Sequence, residues 1–99
     1  MNGREFTVVF TGLAREQYFS AVRSAESTDR PAELAAAMRH LIERLATKPT
    51  EIGEPMYRLQ AMKMDVRRAA LAPIYLEFGV HIAEPLVIVR RVVGMVEPD

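Results

Sequence analysis

Five basic side chains stand in two groups, Lys63, Arg67 and Arg68 in one stretch and the adjacent pair Arg90 and Arg91 nearer the end of the chain. Groups of this kind hold phosphate or carboxylate through charge-assisted hydrogen bonds, so contact with a phosphate or with acidic partner residues is the chemistry to consider first. The segment from Arg58 to Arg68 contains Arg58, Lys63, Arg67 and Arg68 against Asp65 alone, a local positive excess. Over the whole chain, 13 Lys and Arg are balanced by 13 Asp and Glu, giving zero formal charge. The molecule-wide field that drives non-specific nucleic-acid binding is therefore missing, which counts against a general DNA or RNA binder.

Neighbouring strand residues point to opposite faces, so Arg67 and Arg68 can both reach one anion only across a bulge. Their plain alternative role is to keep an exposed strand end soluble. Arg90 and Arg91 interrupt a run of Val, Leu and Ile. Alternation places at least one of them near the core side, where an unpaired charge is costly, and Glu77 is the internal candidate partner.

Other chemistries lack residues. There is no Cys, which removes disulfides, thiolate zinc sites and a Cys nucleophile, and fits a reducing compartment such as the cytoplasm. His40 and His81 are far apart, with no acidic residue at ligand spacing, so no metal site is expected. Ser20, Ser24 and Ser27 have no nucleophile turn around them, and Gly12, Gly53, Gly79 and Gly94 are isolated, so no phosphate-cradling loop or nucleotide cofactor is expected. Met56, Met62 and Met64 lie beside the basic stretch, where they either fill the core or form an adaptable interface.

These side chains must be placed by a single domain spanning residues 1–99, since 99 residues supply one core and no second. Phe6 to Thr11 alternates with a period of two, a strand. From Leu13 the period changes: Ala14, Tyr18, Ala21, Val22 and Ala25 form one helical stripe, which the polar run Glu26-Ser27-Thr28-Asp29 ends. Pro31 suits the first turn of a second helix, whose stripe is Leu34, Met38, Leu41 and Leu45 and whose stop is Lys48-Pro49. Gly53 and Pro55 mark a loop. Met62, Met64 and Val66 alternate as a second strand, slipping at Arg67-Arg68, where a bulge or strand end is expected. Ile74, Leu76, Phe78, Val80 and Ile82 form the core face of a third strand, and Leu86 to Val93 is a fourth, central one. The tail after Gly94 has no periodicity. The expected architecture is α+β: a two-helix hairpin packed on a four-stranded, mainly antiparallel sheet in the order β-α-α-β-β-β. No apolar run reaches the ~18 residues of a membrane helix, and the N-terminus has no export-signal pattern.

In this order of elements the chain resembles the RelE/ParE toxin superfamily, the small partners of antitoxins in bacterial type II modules. The carriers are the strand Phe6-Thr7-Val8-Val9-Phe10-Thr11, the helix end Leu45-Ala46-Thr47-Lys48-Pro49, the segment Arg68 to Phe78, and the hairpin to Val87-Ile88-Val89-Arg90-Arg91-Val92. The likeness spans nearly the whole chain. It implies a cytoplasmic protein bound by a small acidic antitoxin, with either ribosome-bound messenger RNA or DNA gyrase as target. RNA-cleaving members use basic residues on the second to fourth strands and often a tyrosine near the C-terminus. Here Arg67 falls near one such position, but Ile74 replaces the basic residue expected early in the third strand, and no tyrosine follows Gly94. Arg90 and Arg91 lie several residues before the family's basic position, so no catalytic role is carried onto them. The resemblance thus implies a toxin-like protein acting by binding, with Lys63, Arg67, Arg68, Arg90 and Arg91 as recognition residues and no efficient nuclease activity. The alternative is a degenerate, non-catalytic member serving as an interaction or regulatory module.

Overall fold

A computed structural model describes residues 5–26 and 31–94. The elements run β1 (Thr7–Phe10), α1 (Gly12–Glu26), α2 (Pro31–Thr47), β2 (Glu54–Leu59), β3 (Met64–Leu71), β4 (Ile74–His81) and β5 (Leu86–Gly94). Thr11 marks the change from strand to helix. Its hydroxyl oxygen accepts a hydrogen bond from the Ala14 amide at 3.0 Å, satisfying one of the donors that a helix start leaves open. Pro31 occupies the first position of α2, where its missing N–H costs nothing. The break read at residues 27–29 and the tail after Gly94 lie outside the described residues.

The sheet has five strands in the order β1-β5-β4-β3-β2, not four. β1 runs parallel to β5 and every other pairing is antiparallel. The added strand is β2, in a stretch that reads as loop because it has Pro55 inside it and five of its six residues are exposed. An edge strand with no buried face needs no hydrophobic period, and an edge tolerates proline. β5 is paired on both sides, in keeping with its β-branched content.

The two helices cover one face of the sheet. Leu34, Leu41 and Leu45 of α2 and Ala14 and Ala21 of α1 pack against Ile74, Leu76, Phe78, Val87, Val89 and Val92. Phe78 has no exposed surface, and burial of such a side chain contributes roughly 1.5–3 kcal/mol. The Phe6 amide donates to the Ala46 carbonyl at 2.7 Å, tying the start of the chain to the end of α2.

Two expectations about β3 and β4 need correction. β3 does not slip at Arg67-Arg68; it pairs with β4 without a break from Met64↔His81 to Leu71↔Ile74. Ile82, expected on the core face, is 50% exposed. β4 ends at His81, whose Nδ1 accepts hydrogen bonds from the Ala83 and Glu84 amides at 3.1 and 3.0 Å and so closes the turn.

The extra residues belong to the neighbouring strands, one in β2 between Pro55 and Tyr57, opposite Arg67 and Val66 of β3, the other where β5 passes Glu77 and Phe78 of β4. In β5, Arg91 is paired with Glu77 and Val89 with Phe78, which leaves Arg90 as the extra residue. Val89 and Val92, three positions apart, are both buried against the helices. Regular alternation cannot do this; the extra residue can. Neither arginine therefore needs the core side assigned to one of them by alternation.

Candidate functional site

The face of the sheet away from the helices carries the polar and aromatic side chains. Cross-strand partners share a face, so the register gives its rows directly. One row is apolar and crosses all five strands: Tyr57, Val66, Gly79, Ile88 and Val9. The next is charged and alternates in sign across four: Glu54 of β2, Arg68 of β3, Glu77 of β4 and Arg91 of β5. A third brings Ala70, Tyr75 and Val93 together.

Within the charged row, the Arg68 Nε donates to Glu54 Oε1 at 2.9 Å. The Tyr75 hydroxyl and the Glu54 carboxylate together hold the Arg68 guanidinium above its ordinary pKa. Arg90, displaced by the bulge, places Nη1 3.7 Å from Glu77 Oε2 and 3.4 Å from the Tyr57 hydroxyl. Each of these two arginines thus stands between a carboxylate and a tyrosine. Glu77 is the more enclosed member of its pair, with a side chain 15% exposed against 31% for Arg90. Arg91 is exposed and makes no ion pair among the described residues.

Of the five basic residues singled out by sequence, the fold gathers Arg68, Arg90 and Arg91 on this face. Arg67 leaves the other side of β3, beside Phe78, and donates from Nε to the Ile52 carbonyl at 3.2 Å and from Nη2 to the Gly53 carbonyl at 3.3 Å. It ties the loop before β2 to the sheet. Lys63 sits in the tight β2–β3 turn with a positive φ of 52°, its amide bonded to the Gln60 carbonyl and its carbonyl to the Ile82 amide. Arg58 also belongs to the helix side of the sheet, paired with Asp65 at 2.7 Å, and that hydrogen bond raises its pKa. Met64 is buried, whereas Met56 and Met62 are 42% and 50% exposed.

The sequence reading did not single out Tyr57, Tyr75 or Glu54. The core face read from Ile74 to Ile82 leaves Tyr75 on this opposite face by alternation, but Tyr57 and Glu54 lie in the unread strand. Glu77 was legible as an internal partner for the Arg90-Arg91 pair, and the structure sets it beside Arg90. This arrangement is suited to recognition. Both engaged arginines already have a carboxylate beside them, which repels a scissile phosphate. On the helix side, a shallow groove of about 450 Å³ lies between β1 and the helices, lined by Phe10, Tyr18, Phe19, Met38 and Ile42 with Arg15 at hand. Among the described residues no group of three His, Cys, Asp or Glu comes together as a metal site. No described helix is long and apolar enough to cross a membrane.

No family model matches the sequence, and no curated protein matches it. Solved structures do match the fold. A chain of the RelBE2 toxin-antitoxin complex from Mycobacterium tuberculosis superposes with a TM-score of 0.69 over 94% of this chain and 94% of its own, at 22% identity. A chain of the chromosomal ParDE toxin-antitoxin system from P. aeruginosa does so with a TM-score of 0.64 over 95% and 100%, at 10% identity. At 94% and 95% of this chain, neither likeness is confined to the helix hairpin. The protein therefore has the RelE/ParE-type α+β fold of these solved toxin-antitoxin structures.

Proposed function

We propose that this protein is the toxin-type component of a bacterial type II toxin-antitoxin module and works by binding, with the open face of the sheet as its contact surface for a protein target and a small acidic antitoxin as its neutralising partner. The observation that carries this reading is the charged row Glu54, Arg68, Glu77 and Arg91, with Arg90, Tyr57 and Tyr75 against it. Tyrosine and arginine are the side chains from which protein-binding hot spots are built. A surface whose charges alternate suits a protein partner better than the uniform charge of a nucleic-acid backbone. Recognition then rests on Arg68, Arg90 and Arg91, while Arg67 and Lys63 hold the loop and the turn. Its setting is the cytoplasm, and phosphodiester cleavage is not part of the activity.

The second reading, a non-catalytic interaction module without toxicity, is favoured by the internal compensation of Arg68 and Arg90. Inducible expression in a bacterial host separates the two. The toxin reading expects growth to slow while transcripts stay uncut, and Arg91→Glu to restore growth. Normal growth on expression of the folded protein would leave the interaction module, and cleaved transcripts whose cutting stops in Arg68→Ala would return the nuclease.

A further inference from the structure

We infer that Glu54 and Glu77 are specificity-determining residues: they keep polyanions off the open face of the sheet and reserve it for a protein surface that offers Arg91 a single carboxylate. This deepens the binding reading above and rests on it for the identity of the face, but its chemistry can be tested separately.

The charged groups of the described strands that share this face are Glu54, Arg68, Glu77, Arg90 and Arg91. Without the two glutamates, three guanidiniums would stand on one surface, with the hydroxyls of Tyr57 and Tyr75 beside them. That is a set of donors fit for a run of phosphates. The glutamates change its character by position. Glu54 is bonded to Arg68 at 2.9 Å from the edge strand, and the register sets Glu77 next to Arg68 on one side and Arg91 on the other, with the bulged Arg90 at 3.7 Å. A phosphate arriving at Arg68 or Arg90 meets a carboxylate already in place, whose repulsion offsets the attraction of the guanidinium. Of the three arginines on this face, Arg91 is the one that makes no ion pair among the described residues, and it is exposed, so one carboxylate completes the row. The bulge that frees Arg90 from the ladder adds a third arginine beside Glu77.

The test uses the whole chain and a fluorescein-labelled 20-nucleotide single-stranded RNA, followed by anisotropy over a salt series, with circular dichroism to confirm that each variant is folded. Wild-type protein is expected to show no saturable binding at moderate salt. Glu54→Gln with Glu77→Gln is expected to raise affinity at least tenfold, with log K falling against log salt at a slope of about −2, the value for some three phosphate contacts on a single strand. Adding Arg90→Ala to the double variant should remove most of the gain. Glu54→Gln alone, at a side chain 64% exposed, keeps the experiment decisive if the Glu77 change disturbs folding, and should raise affinity about threefold. RNA binding by the wild type equal to that of the variants would overturn the inference, as would a failure of every folded variant to gain any. Loss of growth inhibition in the expression assay, by contrast, bears on the toxin reading and leaves the RNA titration unaffected.

Discussion

The Tyr57 hydroxyl and Arg90 Nη1 meet at 3.4 Å although β3 and β4 lie between their strands. Strands are spaced about 4.8 Å apart, so the two backbones are separated by roughly 14 Å and both side chains must lie flat across the sheet. Beneath them are Val66, with no exposed surface, and Gly79, which has no side chain to lift them. The contact thus joins the outermost strand to β5 over a floor of small and apolar residues.

That contact makes a prediction about Tyr57. Removing only the hydroxyl, in Tyr57→Phe, breaks one long and half-exposed hydrogen bond and should lower stability by less than about 1 kcal/mol. Tyr57→Ala also uncovers Val66 and should cost about 1–2 kcal/mol more. Urea denaturation of the two variants measures the difference, and equal losses would mean that the ring covers nothing.

Gly53 has a positive φ of 68°, and a β-carbon there would run into the carbonyl oxygen of Arg68. Gly53→Ala combines left-handed strain with a collision against backbone that cannot swing aside, so a loss of about 2 kcal/mol or more is expected. Gly12→Ala is the control, because nothing lies within 4 Å of the added carbon. Thermal melts should show a large drop for the first variant and almost none for the second.

Arg67 and Arg91 should behave in opposite ways. Arg67→Ala leaves the Ile52 and Gly53 carbonyls without their donors, lowering stability by about 1–2 kcal/mol and raising amide exchange in the loop before β2, with growth inhibition retained. Arg91→Glu should leave stability within about 0.5 kcal/mol and abolish growth inhibition. Denaturation and growth curves on the same two variants check both halves.

Much of this arrangement is legible in the sequence. The helical stripe Leu34, Met38, Leu41, Leu45 and the alternation from Ile74 to Val80 identify the core, because a buried face imposes a period on the chain. β2 was missed for the converse reason: an exposed edge strand with Pro55 and a bulge has no period to read. The bulge in β5 left a sign, the spacing of Val89 and Val92, but alternation alone set the arginines on opposite faces. The charged row depends on register between four strands, and no single segment contains it.

Phe78 tests the core. It is fully buried between Arg67 of β3 and Val89 of β5 in register, under the helices, and Phe78→Ala should destabilise the domain by about 3–5 kcal/mol. Urea denaturation gives the value, and a loss below 1 kcal/mol would place the helices elsewhere.

If the open face of the sheet is the contact surface proposed above, substitutions that abolish growth inhibition without unfolding the chain must fall on it. Random mutagenesis of the whole chain, with selection of folded variants that no longer slow growth on induction, addresses this directly. The surviving substitutions are expected to gather at Tyr57, Arg68, Tyr75, Glu77, Arg90 and Arg91. Survivors concentrated instead around Arg15, Phe19 and the groove on the helix side would contradict it.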